Sequence, residues 1–315
     1  MNKPSIAIVG AGYIADTYIK IIKKEKIFNI VAITSRTKKK AILLAKKHKL
    51  KKVYNSFEDI IKKNRLDGIF VLVSADQIYT VAKKILKHKI PIFLEKPPGL
   101  NIKEAKNLTK IAKKHKTLNM VCFNRRYYSI FKKGIGIIKN RGKILGINIE
   151  GHERFWKVKK KFKNKIIKSW IFANSIHTID LLRFFGGEIK KNFSFKNSLK
   201  QKSGDQFSAI YQFKNKLIGN YTSHWHSPGG WSIKIFGEGV TVIFKPLEKG
   251  FSIDKNFKIK KIMADKYDKK YKPGLYKQIL SFKKLILDKK LSPPAQDLKS
   301  SLKSMHIINN LILSK

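Results

Sequence analysis

A glycine-rich turn joins an apolar segment to an amphipathic one near the start of the chain. Residues 5–9 predict a short buried strand, and the sequence Gly-Ala-Gly-Tyr-Ile-Ala follows at residues 10–15. In such a sequence Gly10 permits a tight turn, Gly12 lets a ligand approach the backbone, and Ala15 lets a helix pack closely on a sheet. A helix that begins there points its free N–H groups at an anion. The predicted pyrophosphate-binding residues are Gly10, Gly12, Tyr13 and Ile14.

The turn opens a repeating pattern of apolar and amphipathic segments. After the first strand, apolar runs lie at residues 30–34, 68–74, 90–94 and 118–123, with helical periodicity between them. The run at 68–74 is almost continuously apolar, as in a parallel strand with both faces buried. Repeated β–α units of this length predict a doubly wound parallel sheet, that is, an α/β Rossmann domain over residues 1–123.

Beyond residue 124 the pattern changes. Alternating strands are predicted at 143–151, 207–213, 216–226, 231–236 and 241–245, with Gly, Pro and Asn turns between the later ones. Helices are predicted at 127–139, 175–185, 276–287 and 297–313, and a lysine-rich loop at 157–168. Successive antiparallel strands with flanking helices predict an α+β second domain over residues 124–315.

The chain is strongly basic, with 70 Lys and Arg residues against 20 Asp and Glu and a formal net charge of +50. Such a field attracts phosphate backbones, which favours nucleic-acid binding; the alternative is a compositional drift towards lysine. Arginine, the better ligand for base edges and phosphate, is scarce here. We therefore expect no sequence-specific nucleic-acid binding and a preference for anionic small molecules.

Cysteine content and hydropathy constrain the compartment. The single cysteine, Cys122, cannot form an internal disulfide, which is typical of an intracellular protein. No segment approaches the ~20 apolar residues of a membrane helix, and the apolar run at 5–9 is too short for a signal peptide. We predict a globular cytoplasmic protein without a membrane partner.

The second predicted strand ends in Thr-Ser-Arg-Thr at residues 34–37, followed by three lysines. In nucleotide-binding sheets an acidic residue about here binds the ribose hydroxyls of NAD, whereas an arginine accommodates the 2′-phosphate of NADP. The alternative is an ordinary loop in a lysine-rich chain. Ser35 and Arg36 favour NADP(H) as the cofactor, with NAD(H) as the second choice.

Polar residues also follow two other predicted parallel strands. Ser74 ends the run at 68–74, and Glu95-Lys96-Pro97 follows the strand at 90–94. Open α/β sheets bind ligands at the carboxyl ends of their strands. There a lysine can donate to a substrate oxygen and stabilise developing negative charge. We predict Ser74, Glu95 and Lys96 as cofactor-site residues and Lys96 also as a catalytic group.

Five segments carry a likeness to one enzyme family: Asp67–Val73 before Ser74, Glu95-Lys96-Pro97, Glu104-Ala105, Phe123-Asn124-Arg125-Arg126 and His177-Thr178-Ile179-Asp180. With the glycine turn, they resemble the Gfo/Idh/MocA family, named for glucose–fructose oxidoreductase and inositol dehydrogenase, over nearly the whole chain. The resemblance implies a Rossmann domain, a second domain with an open, mainly antiparallel sheet, and a homodimer or homotetramer. It also implies NAD(P)-dependent hydride transfer at a carbinol or ketone carbon of a sugar, cyclitol or nucleotide sugar.

The resemblance also assigns roles to individual residues. Lys96 matches the family's active-site lysine, His177 its acid/base histidine, and Arg125 a position where some members contact substrate. Many members carry an aspartate four residues before the histidine, where this chain has Ala173. An aspartate there orients the imidazole and favours its protonated form, whereas Asn174 can orient the ring without supplying charge. Asn174 is thus a third candidate catalytic residue, and a catalytically weak NADP(H)-binding regulator or sensor is the alternative function.

Two other histidines are candidate metal ligands. His224 and His226 share a strand face, but no cysteine or acidic cluster accompanies them in the sequence, and a zinc site needs three or four ligands. We therefore predict no metal site and place this pair at the substrate cleft or at a subunit contact. Residues 152, 154 and 156 alternate at a strand end, where they line a pocket or form an exposed edge.

Overall fold

The computed structural model describes residues 3–158 and 161–314, which form two compact units. One unit contains the chain as far as Phe123 together with Leu275–Leu302. The other contains Asn124–Gly274 and the chain from Lys303. The division predicted from the sequence, at residues 123 and 124, places 275–302 in the second domain instead.

The described residues form fourteen strands and twelve α-helices. The strands are β1 (Ser5–Val9), β2 (Asn29–Thr34), β3 (Val53–Tyr54), β4 (Gly68–Val71), β5 (Ile92–Leu94), β6 (Asn119–Val121), β7 (Ile144–Gly151), β8 (Ile189–Asn197), β9 (Gln206–Phe213), β10 (Ile218–His224), β11 (Trp231–Gly237), β12 (Val240–Phe244), β13 (Gly250–Asp254) and β14 (Ile259–Ile262). The helices are α1 (Tyr13–Lys24), α2 (Lys38–His48), α3 (Phe57–Lys63), α4 (Ala75–Ile85), α5 (Ile102–His115), α6 (Ser129–Lys139), α7 (Phe155–Val158), α8 (Asn164–Lys168), α9 (Ile176–Gly186), α10 (Lys266–Lys270), α11 (Leu275–Asp288) and α12 (Leu298–Leu313). Short 3₁₀ turns lie at Leu86–His88 and Asn124–Tyr127, and a π-helical turn lies at Ile171–Ser175.

In the first unit, six strands form one parallel sheet in the order β3-β2-β1-β4-β5-β6. The direction of winding reverses between β1 and β4, which is where ligands bind in open α/β sheets. All four residues of β4 are buried, as its apolar run predicts. Strand pairing ends at Val71, and residues 72–74 form a loop at the carboxyl edge. The predicted Rossmann sheet is confirmed.

Helix α11 completes the core of this unit. The ring of Phe282 lies 5.1 Å from that of Phe70 and 5.2 Å from that of Phe93. The Tyr18 hydroxyl donates to Oε1 of Gln278 at 2.8 Å. The amphipathic period of residues 276–287 predicts a helix with one apolar face, but periodicity does not say which sheet that face covers.

In the second unit, eight strands form one sheet in the order β14-β13-β12-β11-β7-β10-β9-β8. Every neighbouring pair is antiparallel except β7 with β10. Helices α6 and α9 pack against the sheet. Along β9 the side chains alternate between buried and exposed, as expected when only one face of a sheet is covered. The predicted open, mainly antiparallel sheet is confirmed.

Several elements of this unit escape the sequence analysis. Strands β8, β13 and β14 and helix α10 were not predicted, and α7 and α8 occupy parts of the predicted loop 157–168. Residues 159 and 160 of that loop lie outside the described residues. β8 and β14 are the two edges of the sheet, and their Lys-rich, largely exposed sequences lack the burial that produces a clear apolar alternation.

Candidate active site

The glycine turn after β1 adopts a backbone conformation that requires glycine. Gly10 has φ +118°, and its N–H donates to the carbonyl oxygen of Thr34 at 2.8 Å. A Cβ at this position would overlap the carbonyl oxygen of Leu72. The turn is therefore pressed between β2 and the loop after β4, and only a residue without a side chain fits.

Helix α1 begins directly after this turn with its N–H groups available. Gly12 is the N-cap, with φ −92°, and no side chain among the described residues caps the helix there. A Cβ built on Gly12 would meet no described atom within 4 Å, so the space in front of the helix is open. Uncapped N–H groups facing open space form the anion site that a pyrophosphate fits.

A cavity of about 370 Å³ opens at this edge of the sheet. The predicted residues that line it are Gly10, Gly12, Ser35, Arg36 and Ser74, and they are joined by Thr37, Lys40, Ser56, Gln77 and Lys84. Of the remaining predicted residues, Tyr13 is 77% exposed, and Tyr13, Ile14, Glu95 and Lys96 do not occur among the described residues that line the cavity. The glycine turn, the N–H groups at the start of α1 and the polar side chains that line the cavity fit a dinucleotide.

The rim after β2 is rich in hydroxyl and cationic groups. Ser35, Arg36, Thr37 and Lys40 all line the cavity, and these groups can donate to a phosphate. Glu58 also lines it, and its carboxylate lies 3.8 Å from the ammonium group of Lys84. The acidic group in this cavity is thus accompanied by a cation.

The segment after β5 is fixed by backbone contacts. The N–H of Glu95 donates to the carbonyl oxygen of Val71 at 3.0 Å, which holds the segment beside β4. The N–H of Lys96 donates to Oε2 of Glu95 at 3.1 Å, and the Lys96–Pro97 peptide bond is cis. Lys96 is half-buried. The lysine therefore stands at the carboxyl end of a parallel strand, as predicted.

The second unit contains a cavity of about 670 Å³ with a polar lining. Its lining residues include Arg125, His152, Glu153, Arg154, Asn174, Trp231 and Glu248. The Arg125 guanidinium lies over the Trp231 ring, 4.5 Å from its centre. The His177 ring lies 6.1 Å from that of Trp231, and His177 is 5% exposed. Of the predicted residues of this unit, Arg125 and Asn174 line the cavity, and His177 does not occur among the described lining residues.

The sequence analysis missed Glu153, which is 4% exposed although it lines this cavity. The Ser175 hydroxyl donates to its Oε1 at 2.8 Å. The Asn174 amide donates to Oε1 at 3.2 Å and to Oε2 at 2.9 Å. The amide N–H groups of Asn174 therefore donate to the Glu153 carboxylate. Nothing in the sequence around residue 153 distinguishes this glutamate from a surface residue at a strand end.

The His152 ring next to Glu153 in the sequence is also held by the fold. Nδ1 of His152 accepts the backbone N–H of His224 at 3.0 Å. Burial lowers the pKa of His152, and the nearby Glu150 carboxylate opposes this only in part. Since Nδ1 is an acceptor, the ring carries its proton on Nε2. His226 lies 3.6 Å from the carboxylate of Asp205, and no cluster of three or more potential metal ligands occurs in the described residues.

A buried ion pair anchors the helix that carries His177. Arg126 donates to both carboxylate oxygens of Asp180, at 2.5 and 2.9 Å, and the Ser304 hydroxyl donates to Oδ1 at 2.7 Å. The side chains of Arg126 and Asp180 are 7% and 1% exposed. Asp180 follows His177 by one turn of α9, so this network fixes the orientation of the helix at the cavity.

Throughout the part of the chain that the structure describes, no helix combines the length and apolar character needed to cross a membrane.

Several known proteins are similar to this chain over most of its length. An uncharacterized protein of Saccharomyces cerevisiae is 26% identical over 261 residues, which cover 77% of this chain and 74% of the yeast protein. The solved structure of an oxidoreductase from Thermotoga maritima has a TM-score of 0.81 at 20% identity and covers 99% of this chain and 97% of its own. A UDP-N-acetylglucosamine 3-dehydrogenase from Acidithiobacillus ferrooxidans has a TM-score of 0.79 at 14% identity and covers 100% and 98%.

Two family models match the chain directly. The model of an oxidoreductase family with an NAD-binding Rossmann fold matches residues 5–123. The model of the GFO/IDH/MocA C-terminal domain matches residues 141–243. These matches confirm the resemblance drawn from the sequence. The chain therefore belongs to the GFO/IDH/MocA family of oxidoreductases, which bind a nicotinamide dinucleotide through a Rossmann fold.

Proposed function

We propose that this protein is an NADP(H)-preferring dehydrogenase or reductase that acts on a carbinol or ketone carbon of a sugar, cyclitol or nucleotide sugar. The observation that carries the proposal is the pairing of two kinds of cavity in one chain. One has a glycine turn and an uncapped helix N-terminus, and the other has arginine, carboxylate and aromatic side chains. The likeness of the fold to a nucleotide-sugar dehydrogenase supports this substrate class.

The first unit supplies the cofactor site. Gly10, Gly12 and the first N–H groups of α1 hold the pyrophosphate, and Ser35 and Arg36 hold the 2′-phosphate of NADP(H). When bound, the nicotinamide accepts or donates a hydride. In this proposal Ser74 and Glu95 belong to the same site.

Lys96 and His177 have different roles at the substrate oxygen. His177 takes the hydroxyl proton during oxidation and returns it during reduction. Lys96 donates a hydrogen bond to the same oxygen and stabilises the negative charge that develops there. Arg125 binds polar or anionic groups of the substrate, and the contact with the Trp231 ring restricts the orientation of its guanidinium.

A homodimer or homotetramer forms part of the proposal. Phe193, Ile210 and Ile218 lie on the uncovered face of the second unit's sheet and are 65%, 55% and 55% exposed. Phe193 and Ile210 are cross-strand partners, so these side chains form one patch. Exposed apolar patches of this kind mark contact surfaces.

The experiment that tests the function is a screen of free sugars, cyclitols and nucleotide sugars for a change in NAD(P)H absorbance, followed by variants. Lys96→Ala and His177→Ala are each expected to lower kcat by about 100-fold or more, because each removes a group that acts on the reacting oxygen. Cofactor affinity is expected to change far less, since neither residue lines the cofactor cavity described above. Lys106→Ala and His88→Ala, at exposed positions, are the matched controls.

The alternative function is a regulator or sensor that binds NADP(H) with little or no turnover. It is favoured by Ala173, a buried apolar residue at the position where many relatives carry a carboxylate. Micromolar binding of NADP(H) without turnover of any compound in the screen would establish this alternative and reject the dehydrogenase.

A further inference from the structure

Glu153 is a carboxylate held in a fixed position inside the second-unit cavity. It is 4% exposed, and removing a carboxylate from water costs free energy unless hydrogen-bond donors replace the water. The donors here are the Ser175 hydroxyl and the Asn174 amide. Both donors are neutral and both carboxylate oxygens accept, which is the pattern of an ionised carboxylate.

These two donors lie in the turn that leads into His177. Asn174 and Ser175 end the π-helical turn Ile171–Ser175, and α9 begins at the next residue. His177 is the second residue of α9, and its ring lies 6.1 Å from Trp231, which lines the same cavity as Glu153. Glu153 is thus tied to the histidine-bearing segment at two consecutive residues.

Helix α9 packs on β7, on β10 and on the turn Asn124–Tyr127. The charged and titratable residues of these elements are Arg125, Arg126, Tyr127, Glu150, Tyr221 and His224, and His152 follows β7 directly. Asp180 and Arg183 lie on α9 itself. The carboxylate of Asp180 is paired with Arg126 at 2.5 Å, and burial holds His152 neutral through its lowered pKa. The Glu150 carboxylate accepts from the Ser232 hydroxyl, whereas that of Glu153 accepts from Asn174 and Ser175 in the turn that leads into His177.

We propose that Glu153 is a positioning residue for His177, which fixes the turn at residues 174–177 and favours the protonated imidazole through its negative charge. This proposal rests on the proposed function only in giving His177 the proton-transfer role. It accounts for the burial of a carboxylate in the cavity, and it gives Asn174 the task of holding Glu153 rather than the imidazole.

The test is an NMR titration of the histidine ring protons in the protein without substrate, with the His177 signal assigned by its loss in His177→Asn. Glu153→Gln keeps the size and removes the charge, and it is expected to lower the titration midpoint of His177 by about one pH unit or more. Glu238→Gln removes the same charge from an exposed turn and is expected to leave the midpoint unchanged. Glu153→Asp retains the charge, and it is expected to keep the titration midpoint of His177 close to that of the unchanged protein.

A second measurement needs no variant. Burial alone lowers the titration midpoint of a histidine, so in the unchanged protein the 5% exposed His177 is expected to titrate no lower than a free histidine only if a carboxylate supports its protonated form. A midpoint well below that of a free histidine, or an unshifted midpoint in folded Glu153→Gln, would overturn the proposal. Because neither titration requires turnover, these results are independent of whether a substrate is found. With a substrate in hand, the pH profile of kcat should move in the same direction as the midpoint.

Discussion

The two cavities differ in the material from which they are built. The cavity of the first unit is formed around backbone: a glycine at φ +118° and the uncapped start of α1. The cavity of the second unit is formed by side chains such as Arg125, Glu153 and Trp231, which come from segments far apart in the chain. A backbone site needs one short run of sequence, whereas a side-chain site depends on several long-range contacts. The difference predicts that the two respond differently to substitution.

The largest effect is expected where the side-chain site is anchored. Arg126→Met removes the closer charged partner of the buried Asp180 carboxylate and leaves only Arg183, at 3.9 Å, to balance its charge among the described ion pairs. Loss of one partner of a buried pair costs about 3–5 kcal/mol of unfolding free energy. Urea unfolding followed by tryptophan fluorescence measures this, because all four tryptophans of the chain lie between residues 156 and 231.

The matched control is Lys245→Met in the same unit. Lys245 lies 3.8 Å from Glu150, and their side chains are 60% and 43% exposed. An exposed pair of this kind contributes about 0–1 kcal/mol. If both variants lose the same free energy of unfolding, the buried Arg126 pair stabilises the unit no more than an exposed pair does. The comparison between the two sites then fails.

The next effect concerns the backbone site. Gly10→Ala forces a Cβ against the Leu72 carbonyl at a positive φ, which is expected to cost about 1–3 kcal/mol and to abolish cofactor binding. Gly12→Ala meets no described neighbour within 4 Å, so its stability is expected to stay within about 0.5 kcal/mol. Its cofactor affinity should still fall, because the new methyl group occupies the space in front of α1. NADPH fluorescence titration together with thermal unfolding separates the two variants, and normal cofactor binding by Gly10→Ala would break the comparison.

The smallest effect concerns the choice of cofactor. NADP(H) is expected to bind more tightly than NAD(H), and Arg36→Asp should flatten or reverse that preference, because a carboxylate repels the 2′-phosphate. Arg65→Asp makes the same charge change at an exposed position outside the cavity and should leave the ratio of affinities as it was. Equal affinity of the unchanged protein for both cofactors would contradict the role given to Arg36.

Much of the fold could be predicted from sequence because burial imposes periodicity. The four buried residues of β4 and the alternation along β9 are direct examples. The edge strands β8 and β14 could not be predicted, since their side chains are largely exposed and show no alternation of apolar and polar residues. The place of α11 in the first unit could not be predicted either, because the apolar face of a helix does not indicate which sheet it packs on.

The candidate sites show the same limit. Gly10 and Ser74 were identified because their local sequence dictates what they do. Glu153 was not, because its role depends on Ser175 and Asn174, which reach it through the fold. The orienting role of Asn174 towards His177 stays a prediction, and its amide N–H groups donate to Glu153.

The place of α11 in the first unit has a consequence for how the protein is made. Phe70 and Phe93 are packed against Phe282, which is synthesised after the whole span Asn124–Gly274 of the second unit. Translation proceeds from the N-terminus, and domains generally fold as their chains emerge. During translation the aromatic core of the first unit therefore lacks Phe282 until the span Asn124–Gly274 has emerged from the ribosome. Nascent chains truncated before residue 275 would present this apolar surface to chaperones.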